Sequence, residues 1–187
     1  RRSSAVGIDP PSPRRKWRAI MLSTLLLVPA YWGIVIGVVA VASDKPDAPP
    51  AGPPIAFGLA LLPFVYIALA FLSAHPRAPS AVVKAMGLTL LIGIPASAIT
   101  QDAITGLVAG IGAGGIGALR TDTEGAWKAR AIGVFAVSLY AFVMIRLVPD
   151  VTLLLAPTLP FTCLGVADHL AERRREQAKE RQAAETH

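Results

Sequence analysis

Gln101 and Asp102 put an amide beside a carboxylate inside residues 81–119, AVVKAMGLTLLIGIPASAITQDAITGLVAGIGAGGIGAL, a run whose only other charge is Lys84. Further along, Arg146 stands four residues before Asp150. These four residues could line the mouth of an ion path, because a carboxylate concentrates cations and an arginine repels them. The plainer reading makes Asp102 and Asp150 solvated turn residues, with Arg146 snorkelling to a membrane surface. A second group follows at once. Gly106, Gly110 and Gly114 recur at four-residue spacing, which puts them on one helix face where another backbone can approach closely. Packing within a bundle or at an oligomer interface is the expectation; a flexible, pore-lining helix is the alternative. A phosphate-cradling loop is excluded, since no G-x-x-x-x-G-K-[ST] follows a strand.

Other chemistries lack their residues. His75, His169 and His187 all fall outside the long apolar runs, so paired axial ligation of a haem within a membrane has no ligands. Cys163 is the single cysteine, which rules out an internal disulfide and a Cys/His zinc set; a packing role is expected for it. No Asp or Glu lies near the centre of an expected span, against a proton relay. Neither H-E-x-x-H nor G-x-S-x-G occurs. The expectation is no catalytic residue, no cofactor and no metal site.

What must hold these residues is set by the apolar blocks. Of 187 residues, 53% are hydrophobic and 16% charged, and the apolar residues come in long uninterrupted runs that read as membrane spans. The alternating ten-residue segments of a β-barrel are missing. An all-α, polytopic membrane bundle follows, because a backbone facing lipid must satisfy its own hydrogen bonds. Six spans are expected, at 17–43, 55–74, 81–100, 103–119, 131–148 and 151–166. The first run is too long for the apolar core of a secretory signal, so it is read as an uncleaved span. Residues 81–119 as one straight helix would measure about 58 Å against a hydrocarbon core of about 30 Å. The chain must turn back, and Gln101-Asp102 is the polar break. Pro149-Asp150 plays the same part later, which gives three hairpins. Prolines at 29, 63, 95, 157 and 160 remove helix donors, and Pro157 and Pro160 should make the sixth span irregular.

Charge orients the bundle. With both termini in the cytoplasm, sixteen Lys and Arg residues fall inside and only Lys45 and Arg146 outside. If 103–119 did not cross, the split would be nine and nine. A net charge of +6 therefore reports topology and contact with anionic lipid headgroups, and nucleic acid is not expected as a partner. Residues 1–16 are read as a disordered basic tail, 17–166 as the transmembrane domain, and 167–187 as a charged cytoplasmic helix. On that helix Asp168, Glu172, Glu176 and Glu180 form a solvated stripe, with Glu172–Arg175 and Glu176–Lys179 able to pair. The Arg-rich, Lys-poor composition points to a bacterium, hence to the inner membrane. The expected function is non-enzymatic: association of helices with further copies of the chain or with other membrane proteins. The alternative is a small oligomeric channel or permeator.

Overall fold

The computed structural model describes residues 12–43, 50–120 and 125–185. Within them the chain is helical throughout: α1 (Pro13–Ala42), α2 (Gly52–Leu72), α3 (Ala78–Thr100), α4 (Ala103–Ala118), α5 (Ala126–Leu147), α6 (Pro149–Leu155), a 3-10 turn (Ala156–Thr158) and α7 (Leu159–Glu185). Five stretches are long and apolar enough to cross a membrane: Pro13–Ala42, Gly52–Leu72, Ala78–Thr100, Ala126–Leu147 and Pro149–Glu185. The sixteen-residue α4 is apolar but shorter, about 24 Å at 1.5 Å per residue.

Local chemistry sets the boundaries. Ser12 accepts a hydrogen bond from the Arg15 amide and Pro13 occupies the first turn, where its missing N–H costs nothing. The first helix therefore starts four residues before the expected position 17, and residues 1–11 lie outside the described part. The break at Gln101-Asp102 is a left-handed turn, with Gln101 at φ 51° and Asp102 capping α4. The expected sixth span is irregular where its prolines stand: α6 gives way to a 3-10 turn containing Pro157, and α7 resumes before Pro160. The single helices carrying Pro29, Pro63 and Pro95 run on through them.

The core is arranged around α4. Eleven of its sixteen residues are buried, whereas α3, with 23 residues, buries only Ala78, Ala81, Ala85 and Thr89. Glycine makes this burial possible on several sides at once. A Cβ at Gly110 would come within 2.6 Å of the Thr89 carbonyl oxygen of α3, one at Gly112 within 3.1 Å of Val134 of α5, and one at Gly115 within 2.3 Å of Leu164 of α7. The α1–α2 pair uses the same device: Cβ atoms at Gly33 and Gly58 would meet the Pro54 and Ala30 carbonyl oxygens at 2.8 and 2.5 Å. Tyr31, Tyr66 and Phe161 fill the remaining interior without solvent exposure.

The charged end of α7 departs from expectation. Asp168 is buried and Glu172 half-buried, and both carboxylates meet Lys16. The stripe is therefore not uniformly solvated. Its first two members point back into the bundle, because α1 and α5 bring buried cations to that face of the helix.

Candidate functional site

Lys16 of α1, Arg130 of α5 and Asp168 of α7 are buried together. One Asp168 oxygen accepts from Lys16 Nζ at 3.1 Å and the other from Arg130 Nη2 at 2.7 Å. Lys16 Nζ also donates to Glu172. Arg130 extends the group to the end of α4, donating to the carbonyl oxygens of Leu119 at 3.0 Å and Arg120 at 2.8 Å. Arg120 then reaches the turn between α2 and α3: its amide donates to Ser73 Oγ at 3.3 Å and its guanidinium to the Ala74 carbonyl at 3.2 Å. The starts of α1 and α5, the ends of α2 and α4 and the middle of α7 thus meet at one end of the bundle.

Asp168 and Glu172 face Lys16 and Arg130 here, so these buried charges are paired and hydrogen-bonded. The void beside Lys16, Asp168 and Glu172 measures about 10 Å³, at the bottom of the range that admits one water molecule. Among the described residues, their geometry ties five helices together. Beside this end, the Arg77 amide donates to His75 Nδ1 at 3.1 Å, a bond that requires that nitrogen unprotonated. Burial first, then the cations of Arg120, Lys84 and Arg130, push His75 below the usual histidine pKa.

The residues singled out from sequence occupy two other places. Gly106, Gly110 and Gly114 lie at the α4 interfaces. A Cβ at Gly106 would strike Ser97, one at Gly110 would sit 3.0 Å from the Gly93 Cα, and one at Gly114 would strike Tyr66 and Thr89. Tyr66 Oη and Thr89 Oγ1 are 2.6 Å apart, and Thr89 Oγ1 donates to the Ala85 carbonyl. The glycine face is therefore packed closely within the chain at these points, and a space of about 310 Å³ lies beside Gly106 and Gly110 between α1, α2, α3 and α4.

Gln101, Asp102, Arg146 and Asp150 lie on turns or helix ends remote in sequence from the buried cluster. Asp102 accepts from the amides of Ile104 at 3.3 Å and Thr105 at 2.8 Å, and from the Thr105 hydroxyl. This is the work of a helix N-cap. Gln101 and Asp150 are exposed. The Arg146 guanidinium lies 3.8 Å over the Phe142 ring and donates to the Phe142 carbonyl at 3.1 Å. Among the described residues no ion pair joins Arg146 to Asp102 or Asp150. Cys163 is half-buried against α5, its thiol 3.6 Å from the Gly133 carbonyl oxygen. No group of three or more metal-ligating side chains forms among the described residues.

Sequence reading missed the Lys16–Arg130–Asp168 cluster. Its members stand 38 and 152 positions from Asp168, and each looks like an ordinary flanking charge. The Gly33-x-x-x-Gly37 spacing in α1 was a usable signal of close packing and was passed over for the denser glycines of α4. Comparison with family models, with curated proteins and with solved structures finds no match.

Proposed function

We propose that this chain is a non-enzymatic protein of the bacterial inner membrane that works through helix–helix association, as a homo-oligomer or as an accessory subunit of a membrane assembly. In this reading α1 to α5 and the α6–α7 segment make six crossings, with both termini in the cytoplasm. The orientation rests on the sixteen-to-two distribution of Lys and Arg. It agrees with the meeting of Lys16, Arg120 and Arg130 at one end.

One observation carries the associative reading: the unequal use of α3 and α4. The glycines of α4 are consumed inside the chain, while α3 turns Val83, Leu91, Ile94 and Ile99 outward, each more than 60% exposed. In a membrane that outward surface, about 160° wide, meets lipid or another transmembrane helix. The channel alternative draws less support, because Asp102 is spent on capping α4 and the interior around Gly114 and Gly115 is filled by Tyr66, Phe161 and Leu164.

The test is the native mass after extraction from membranes in polymer-bounded discs without detergent. Association predicts a multiple of the 19.6 kDa chain, or one chain with a co-purifying membrane protein. An oligomer that passes ions when reconstituted in liposomes would replace this reading with the channel, and a lone 19.6 kDa chain with no co-purifying protein would contradict association.

A further inference from the structure

We infer that the groove between α5 and α7 binds one anionic phospholipid. The groove encloses about 530 Å³. Its floor is built from small residues: a Cβ at Gly133 would already lie 3.1 Å from the Ala167 Cβ, and Ala129 and Ala171 continue the same seam. Small side chains along a seam leave a channel beside two backbones. Ile132, Val166 and Leu170 wall it, all three exposed, so an acyl chain could lie there against apolar surface only. The groove changes character at one end, where Lys128, Arg174 and Arg175 border it. Lys128 leans over Trp127 at 5.9 Å, and no carboxylate pairs with these three cations among the described residues.

Helix geometry explains why those cations stay available. At 100° per residue, Glu172 points to the side of α7 opposite Leu170 and Arg174, and it is held there by Lys16. Asp168 and Glu172 thus face the buried cluster while Arg174 faces the groove, and Arg175 borders the groove from about 100° round the helix. The cationic end also lies beside Arg130 and Arg120, at the end of the bundle assigned above to the cytoplasmic surface. A phosphate at that depth with its chain running toward Cys163 is the disposition a phospholipid already has in the leaflet. Basic pockets between membrane helices at this level recognise anionic headgroups. The inference rests on the membrane placement argued above and does not require the chain to associate.

Cys163 lines the groove and is the only cysteine, so its alkylation by a small apolar maleimide reports occupancy at this site. The full chain in neutral detergent is titrated with phosphatidylglycerol, phosphatidylcholine or inorganic phosphate. Phosphatidylglycerol should slow alkylation at concentrations where the other two have no effect. Replacing Lys128, Arg174 and Arg175 together by Ala should shift that protection on the order of 100-fold to higher lipid concentration. Arg146→Ala should leave it unchanged. Val166→Trp, which fills the groove from an exposed position, should protect Cys163 without lipid. Equal protection by both lipids would leave a lipid-facing groove but overturn headgroup recognition. Protection by inorganic phosphate alone would assign the cations to a free anion. No protection by any lipid, with Val166→Trp still protecting, would overturn the site while leaving the membrane placement standing.

Discussion

Asp168 shows how a charge that reads as solvated becomes structural. It sits in a run of charged residues, ADHLAERRREQAKERQ, as the first of four acids spaced four apart, where the pairs expected along the helix were Glu172–Arg175 and Glu176–Lys179. Its partners instead arrive from α1 and α5, and nothing in a one-dimensional charge pattern identifies them. Position within the apolar blocks was legible; which flanking charge turns inward was not. Asp102 is the converse case. Its role at the tip between α3 and α4 follows from helix length against bilayer thickness, and the side chain is found capping α4. The buried cluster makes a sharp expectation. Asp168→Asn leaves Lys16 and Arg130 facing each other without a carboxylate between them, and breaking a buried ionic group in this way costs about 3–5 kcal/mol. Equilibrium unfolding in mixed micelles should register that loss, while Glu176→Gln at an exposed position should change stability by less than about 0.5 kcal/mol. An Asp168→Asn protein as stable as the wild type would mean that the cluster does not hold these helices together.

The first five helices fall within about five residues of the expected spans because apolar runs and helix caps are local signals, whereas the expected 151–166 is divided among α6, the 3-10 turn and α7. Contacts between elements were less accessible. The glycine spacing of α4 announces close packing, but not that three sides of one helix would be used at once, against α3, α5 and α7. That outcome depends on the arrangement of all the helices around α4, which no single segment encodes. A pair of substitutions tests the packing. Gly110→Leu forces a side chain against the α3 backbone, where even a Cβ would lie 2.6 Å from the Thr89 carbonyl oxygen; overpacking of this kind costs about 1–3 kcal/mol or more. Gly87→Leu, on α3 where a Cβ meets nothing within 4 Å, should be tolerated. Thermal unfolding of the two variants beside the wild type provides the comparison. Equal tolerance would place the Gly110 face in open space.

The arrangement of the bundle turns on α4. This helix lies outside the set of five stretches long enough to cross unaided, yet it is the most thoroughly buried of the α-helices, and its ends connect opposite ends of the bundle in the proposed arrangement. A helix of about 24 Å can cross a hydrocarbon core of about 30 Å when its neighbours, not lipid, surround it, since the mismatch is then absorbed within protein. If α4 crosses, the basic residues gather on one face of the membrane, the cation-bordered groove between α5 and α7 meets the anionic leaflet, and α3 presents its apolar row to lipid or to a partner. If it does not, each of these placements fails together. The decisive measurement is cysteine accessibility in intact cells, in a Cys163→Ser background, with single cysteines at Arg77, Gln101 and Trp127 and a membrane-impermeant maleimide. A six-crossing bundle is labelled at position 101 from outside, with positions 77 and 127 protected until the membrane is opened. Outside labelling at both 101 and 127, with 77 protected, would mean that α4 returns to the side it left, and would contradict the six-crossing bundle.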